Sequence, residues 1–141
     1  MRTAIRSILA LGLLLGFTLP AAAADSKDLE STPQAKVYRA SLKAVADGDY
    51  KAYARCMTSQ AVKEIEAETK QLGKTTKDGM ELMKMMAPSD VKLIALKVEG
   101  KKAVLSATGK QDKEVMYGSI DLEEENGQWK VGKQSWTNKK S

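Results

Sequence analysis

The chain has no histidine, one cysteine and three prolines among 141 residues, and aromatic side chains make up only 5% of it. Without imidazole, Ser-His and Cys-His catalysis and every histidine metal site are excluded. A lone Cys56 allows no internal disulfide, so stability must come from packing. That thiol reads either as a small buried hydrophobe on a helix or as a reactive group able to bridge two chains. No basic cluster is interleaved with aromatics. The charges are interspersed instead, as in AVKEIEAETKQ and GKQDKEV. This argues for a solvated surface and against a nucleic-acid partner.

What is present begins with MRTAIRSILALGLLLGFTLPAAAA. Arg2 and Arg6 precede an apolar run from Ile8 to Leu19, Pro20 breaks it, and three alanines follow. This is the layout of a cleavable secretory signal, and the run is too short to span a membrane. Cleavage is expected after Ala24, leaving a periplasmic or secreted protein with no membrane span. The remaining 117 residues carry 21 basic and 18 acidic groups and suffice for one domain. Residues 25–33 (DSKDLESTP) read as a flexible leader and 34–138 as the domain.

Helical spacing fills the first half. Thr32 and Pro33 open a helix whose face carries Val37, Tyr38, Ser41, Ala44 and Val45, and Asp47-Gly48-Asp49 ends it. Asp49 caps a second, short helix with Tyr50, Tyr53, Ala54 and Met57 on one side. Thr58 or Ser59 caps a third over AVKEIEAETKQLG. A fourth, from about Lys77 to Ala87, contains MELMKMM. From Asp90 the period falls to two, giving four strands at hairpin spacing: VKLIALKV, AVLSATG, EVMYGSIDLEE and QWKVGKQSWT. Asn126-Gly127 is a strong turn signal, since both central residues of a tight hairpin can need positive φ. The expected fold class is α+β, with N-terminal helices on a curved four-stranded antiparallel meander.

The corner Ala46-Asp47-Gly48-Asp49-Tyr50 and the last strand Asn126-Gly127-Gln128-Trp129-Lys130-Val131 carry a resemblance. Over roughly residues 34–137 the chain resembles the nuclear transport factor two-like, cystatin-like superfamily, in its small exported, lumazine-binding-like bacterial branch. The resemblance implies a sheet wrapped around the long helix as a cone. The cone's open end often holds an apolar small molecule, and its outer face often forms dimers. Some relatives are ketosteroid isomerases. Here the position of their catalytic tyrosine falls near Ser41, with Tyr38 a turn earlier. The isomerase branch also needs two aspartates facing the cavity; the strands offer only Asp90 and Asp121 as aspartates, and alternation turns Asp121 away from the core. Binding without catalysis is therefore the expectation, with an isomerase or hydratase as the rival.

The methionines admit three readings. On a helical wheel Met80, Leu82, Met83, Met86 and Ala87 share one arc and Met85 sits at its border. That spacing suits an ordinary core helix. It also suits a thioether Cu(I) site of Met80, Met83 and Met86, although no further ligand supports one and no metal or cofactor is expected. Third, an adaptable pocket could be lined by these three with Tyr38, Tyr53 and Met116, because unbranched thioethers fit varied apolar shapes. By strict alternation Trp129 and Val131 face the core, whereas Trp136 lies on the other parity. The first strand is apolar on both faces, with Leu93 and Ala95 on one and Ile94, Leu96 and Val98 on the other. Trp136 and Leu93 are thus the expected outer contacts of a homodimer or of an envelope-protein partner.

Overall fold

A computed structural model describes residues 26–140. The expected signal segment and its cut site lie outside the described residues. Five helices precede four strands: α1 (Ser26–Glu30), α2 (Pro33–Asp47), α3 (Tyr50–Cys56), α4 (Ser59–Gln71), α5 (Thr76–Met86), β1 (Ser89–Glu99), β2 (Lys102–Gln111), β3 (Glu114–Glu125) and β4 (Gln128–Thr137). The strands pair antiparallel in the order β1-β2-β3-β4, and the helices pack against this open sheet. The fold is α+β.

Local chemistry sets the boundaries. The Thr32 hydroxyl accepts from the Ala35 amide at 3.2 Å, the Asp49 carboxylate from Ala52 at 3.0 Å and the Thr58 hydroxyl from Ala61 at 3.1 Å, each satisfying an otherwise orphaned first-turn donor. Thr75 and Asp78 close a reciprocal capping box on α5. Gly48, at φ 68°, ends α2 in the left-handed region, where its own N–H reaches back to α2 carbonyls. Asn126 and Gly127 both adopt positive φ, 52° and 77°, as the β3–β4 hairpin requires.

The segment read as a flexible leader is instead α1, and its Leu29 is fully buried, at 0% exposure. Glu30 accepts from the Arg39 guanidinium at 2.5 and 3.1 Å, and Arg39 donates onward to the Val91 carbonyl at 3.0 Å. One arginine thus ties α1, α2 and β1 together. Leu29 gave no periodic signal, because a single apolar side chain in a five-residue turn has no partner at helical spacing. Its burial comes from the packing of α1 on β1 and α2.

The core lies between α2 and the inner sheet face, with Tyr38, Leu29, Met80, Leu105, Ile120, Leu122 and Val131 as its largest buried side chains. At the α3–α4 junction the Thr58 amide donates to the Val131 carbonyl at 2.8 Å, fixing that corner to β4.

Of three register irregularities in the sheet, two decide the faces of Leu93 and Trp136. On β1, Leu93 pairs with Ala107 but Ala95 with Ser106, so Ile94 is an extra residue. On β4, Val131 pairs with Leu122 but Gln134 with Ile120, so Gly132 and Lys133 together oppose Asp121. Each insertion reverses the alternation beyond it, because the side-chain period is two. Leu93 is consequently on the inner face, only 7% exposed, with Leu96 and Val98 on the same side. The expectation that Leu93 faces outward is corrected; the bulged Ile94 is the exposed residue, at 54%.

Trp136 is corrected in the same way. It pairs with inner-facing Gly118 and lies on the face of Trp129 and Val131. The outer face carries Lys102, Val104, Ser106, Thr108, Ser119, Asp121 and Glu123 instead, with Lys102 and Glu123 paired across strands at 3.9 Å. Among the described residues no helix is long and apolar enough to cross a membrane.

Candidate apolar cleft

Where α5 meets the inner sheet face, the core opens into a cleft of about 420 Å³. Leu42 and Val45 of α2, Tyr53 of α3, and Leu82, Met83 and Met86 of α5 form one side. Ala87 and Pro88 follow, and Gln111, Met116, Gln134 and Trp136 supply the sheet side. The capping box sets where α5 begins, and Pro88, just beyond its end, turns the chain into β1. The methionine stripe therefore ends at the mouth of the cleft.

Of the six residues expected to line a pocket, the fold brings together four: Tyr53, Met83, Met86 and Met116. Tyr38 and Met80 do not reach the cleft. Met80 is 1% exposed and belongs to the core, whereas Met86, two turns further on, is 62% exposed. The stripe thus divides along its length, with its first methionine serving as core and its last lining an open wall. Met85 points away and is solvent-exposed. Met83, Met86 and Met116 come from two elements, so the thioethers that share the cleft differ from the set the helical wheel suggested. Among the described residues no group of three or more His, Cys, Asp or Glu is placed to hold a metal ion.

Tyr38 is fully buried, and its hydroxyl has no hydrogen-bond partner among the described residues. Burial pushes its phenol up to about 12; the nearby Arg39 charge opposes this, and Tyr53 adds to it. Burial likewise raises the Tyr53 phenol. Both tyrosines are therefore neutral phenols near neutral pH. Cys56 is buried on α3, its thiol donating to the Ala52 carbonyl at 3.4 Å, and burial raises it too, against the pull of Lys130 and Arg55.

The β4 bulge turns Trp136 inward, and two glycines mark where its ring lies. A Cβ on Gly118 would stand 2.7–2.8 Å from Cη2, Cζ2 and Cζ3 of the indole, and one on Gly109 would meet Cζ3 at 3.3 Å and the Pro88 Cβ at 2.8 Å. The ring therefore reaches from β4 across β3 to β2, over positions that only glycine leaves open. The Trp136 Nε1–H donates to the Gln134 Oε1 at 3.3 Å. The sequence signal for this platform was a pair of strand-interior glycines, Gly109 and Gly118, which mark close approach of another group.

The chain matches no known protein-family model and no curated protein. A second groove, of about 630 Å³, runs between α4 and β4 and is lined by Glu64, Glu68, Asp121, Glu123 and Lys133 beside Ile65 and Tyr53. The methionine–tryptophan cleft differs in kind: no Lys, Arg, Asp or Glu side chain lines it. Asp121, one of the two strand aspartates, opens onto the charged groove instead. Asp90 lies at the start of β1, 3.5 Å from Lys110.

Proposed function

We propose that the protein is an exported binding protein without catalytic activity, holding a small apolar molecule in the methionine–tryptophan cleft. The architecture is compatible with the cystatin-like, nuclear transport factor two-like arrangement, in which such a molecule occupies the open end of a cone. One observation carries the reading. Leu82 and Met86 remain exposed on one wall of a concave, charge-free cleft, facing Met116 and a half-buried Trp136. Apolar concavities with a few polar groups are the usual form of small-molecule sites. Flexible, polarizable thioethers suit an occupant of variable outline.

An isomerase-like reaction would need a carboxylate beside a phenol. The cleft supplies the Tyr53 phenol and no carboxylate, and the carboxylates that share the second groove with Tyr53 are all solvent-exposed. Self-association or docking of an envelope partner through the outer sheet face draws no support from that face, which is dominated by charged and hydroxyl side chains.

Native mass spectrometry of the protein purified from its own export compartment tests the proposal. The expected result is a cut after Ala24 and a co-purified organic mass that Met86→Glu removes. A bare protein that also gives no saturable tryptophan response to apolar probes would refute it.

A further inference from the structure

The cleft has a floor of defined shape. Cζ2, Cη2 and Cζ3 of Trp136 are consecutive ring carbons, yet all lie 2.7–2.8 Å from the Cβ position of Gly118. A point in the ring plane beyond Cη2 would be much further from its two neighbours, so the six-membered ring presents its face to Gly118. One face of the indole is thus laid against the β3 backbone. The ring also lines the cleft and is only half-buried, so its opposite face looks into the cavity. Met83, Met86 and Met116 line the same cleft.

The polar groups narrow the occupant further. Charged residues are 29% of the chain, yet none lines this cleft, so nothing there would neutralise a carboxylate, phosphate or ammonium. Gln111 and Gln134 supply the side-chain amides. The Gln134 oxygen already accepts from the Trp136 Nε1–H, which orients that amide beside the ring and leaves its NH₂ group free to donate.

We propose that this cleft takes an uncharged molecule with a flat ring. The ring stacks on the open face of Trp136 between the three methionines, and a carbonyl oxygen on it accepts from the Gln134 amide. The proposal rests on the binding reading above and specifies its ligand class. Offset stacking and sulfur–ring contacts favour a planar π-system over a flexible chain of equal size.

The test uses the full exported protein with Trp129→Phe, so that Trp136 is the single indole reporter. Three probes are titrated while its fluorescence is followed: coumarin, which is flat and uncharged with a lactone carbonyl; coumarin-3-carboxylate, its anion; and 2-decanone, an acyclic neutral ketone of matching heavy-atom count.

Coumarin is expected to quench saturably, with the anion weaker by about tenfold or more and the acyclic ketone weaker by roughly fivefold. Gln134 is exposed, so Gln134→Leu should leave the fold intact and weaken coumarin by about fivefold. Equal binding of 2-decanone overturns the flat-ring assignment and leaves the binding reading standing. Equal binding of the anion overturns the uncharged assignment alone. No saturable response to any probe brings down both.

Discussion

Gly118→Ala tests the placement of Trp136 directly. A β-carbon there would lie 2.7–2.8 Å from three indole carbons, about 1 Å inside ordinary carbon–carbon contact. Gly118 does not occupy the left-handed region, so alanine meets no backbone strain, and its reduced freedom in the unfolded chain favours folding by about 0.4–1 kcal/mol. Overpacking against the indole, which must shift off the sheet toward the cleft, costs about 1–3 kcal/mol. The net expectation is a loss of about 1 kcal/mol, or roughly 4 °C in Tm for a domain of this size.

Urea denaturation should show a lower midpoint with an unchanged slope, and Trp136 emission should shift to the red as the indole is pushed toward the cleft mouth. A double-mutant cycle isolates the cause. In a Trp136→Ala background the same Gly118→Ala change should become neutral or stabilising, giving a coupling of about 1–2 kcal/mol. A Gly118→Ala protein at least as stable as its parent, with unchanged emission and no coupling, would refute the inward placement of Trp136 and the bulge that produces it.

Leu29→Ala should cost about 2–4 kcal/mol in urea unfolding, the signature of a core leucine in a segment whose composition reads as a leader; a loss below about 0.5 kcal/mol would show that α1 does not belong to the core. The Glu30 carboxyl is held below its usual 4.5, first by its hydrogen bond to Arg39, and the Asp78 carboxyl below its usual 3.8, first by the Thr75 backbone N–H. Because both folded values are depressed, their stabilisation is present above those usual values and is lost as pH falls through the lowered ones. Unfolding followed from pH 6 to 2 should therefore show less acid dependence in Glu30→Gln than in the parent; identical profiles would remove the ion pair from the account. Cys56 should react with a thiol-specific disulfide reagent at pH 8 far more slowly in the folded protein than in urea. Stoichiometric reaction within seconds under native conditions would overturn its burial.

The elements whose causes are local were legible in the sequence. Thr32, Asp49, Gly48 and Asn126-Gly127 fix caps and turns through their own side chains and backbone angles. The change of period at Asp90 separates helices from strands, because each period follows from one element's own geometry. The composition of the methionine stripe was equally readable, since residues three and four apart share a helical face wherever that helix is placed.

Its function as core or as cleft wall was not readable. Met80 and Met86 belong to one stripe and differ only in whether α2 and the sheet extend far enough to cover them. The faces of Leu93 and Trp136 were decided at a distance as well. A strand's alternation names two sets of residues but not which set is buried after a bulge, and the extra residues at Ile94 and at Gly132-Lys133 exist only in relation to the register of the neighbouring strand. Pairing across the sheet sets that register, and a one-residue slip turns every later side chain over. The sequence by itself therefore determined every element except α1, and the tertiary structure alone decided that Trp136 shares a cleft with the methionines.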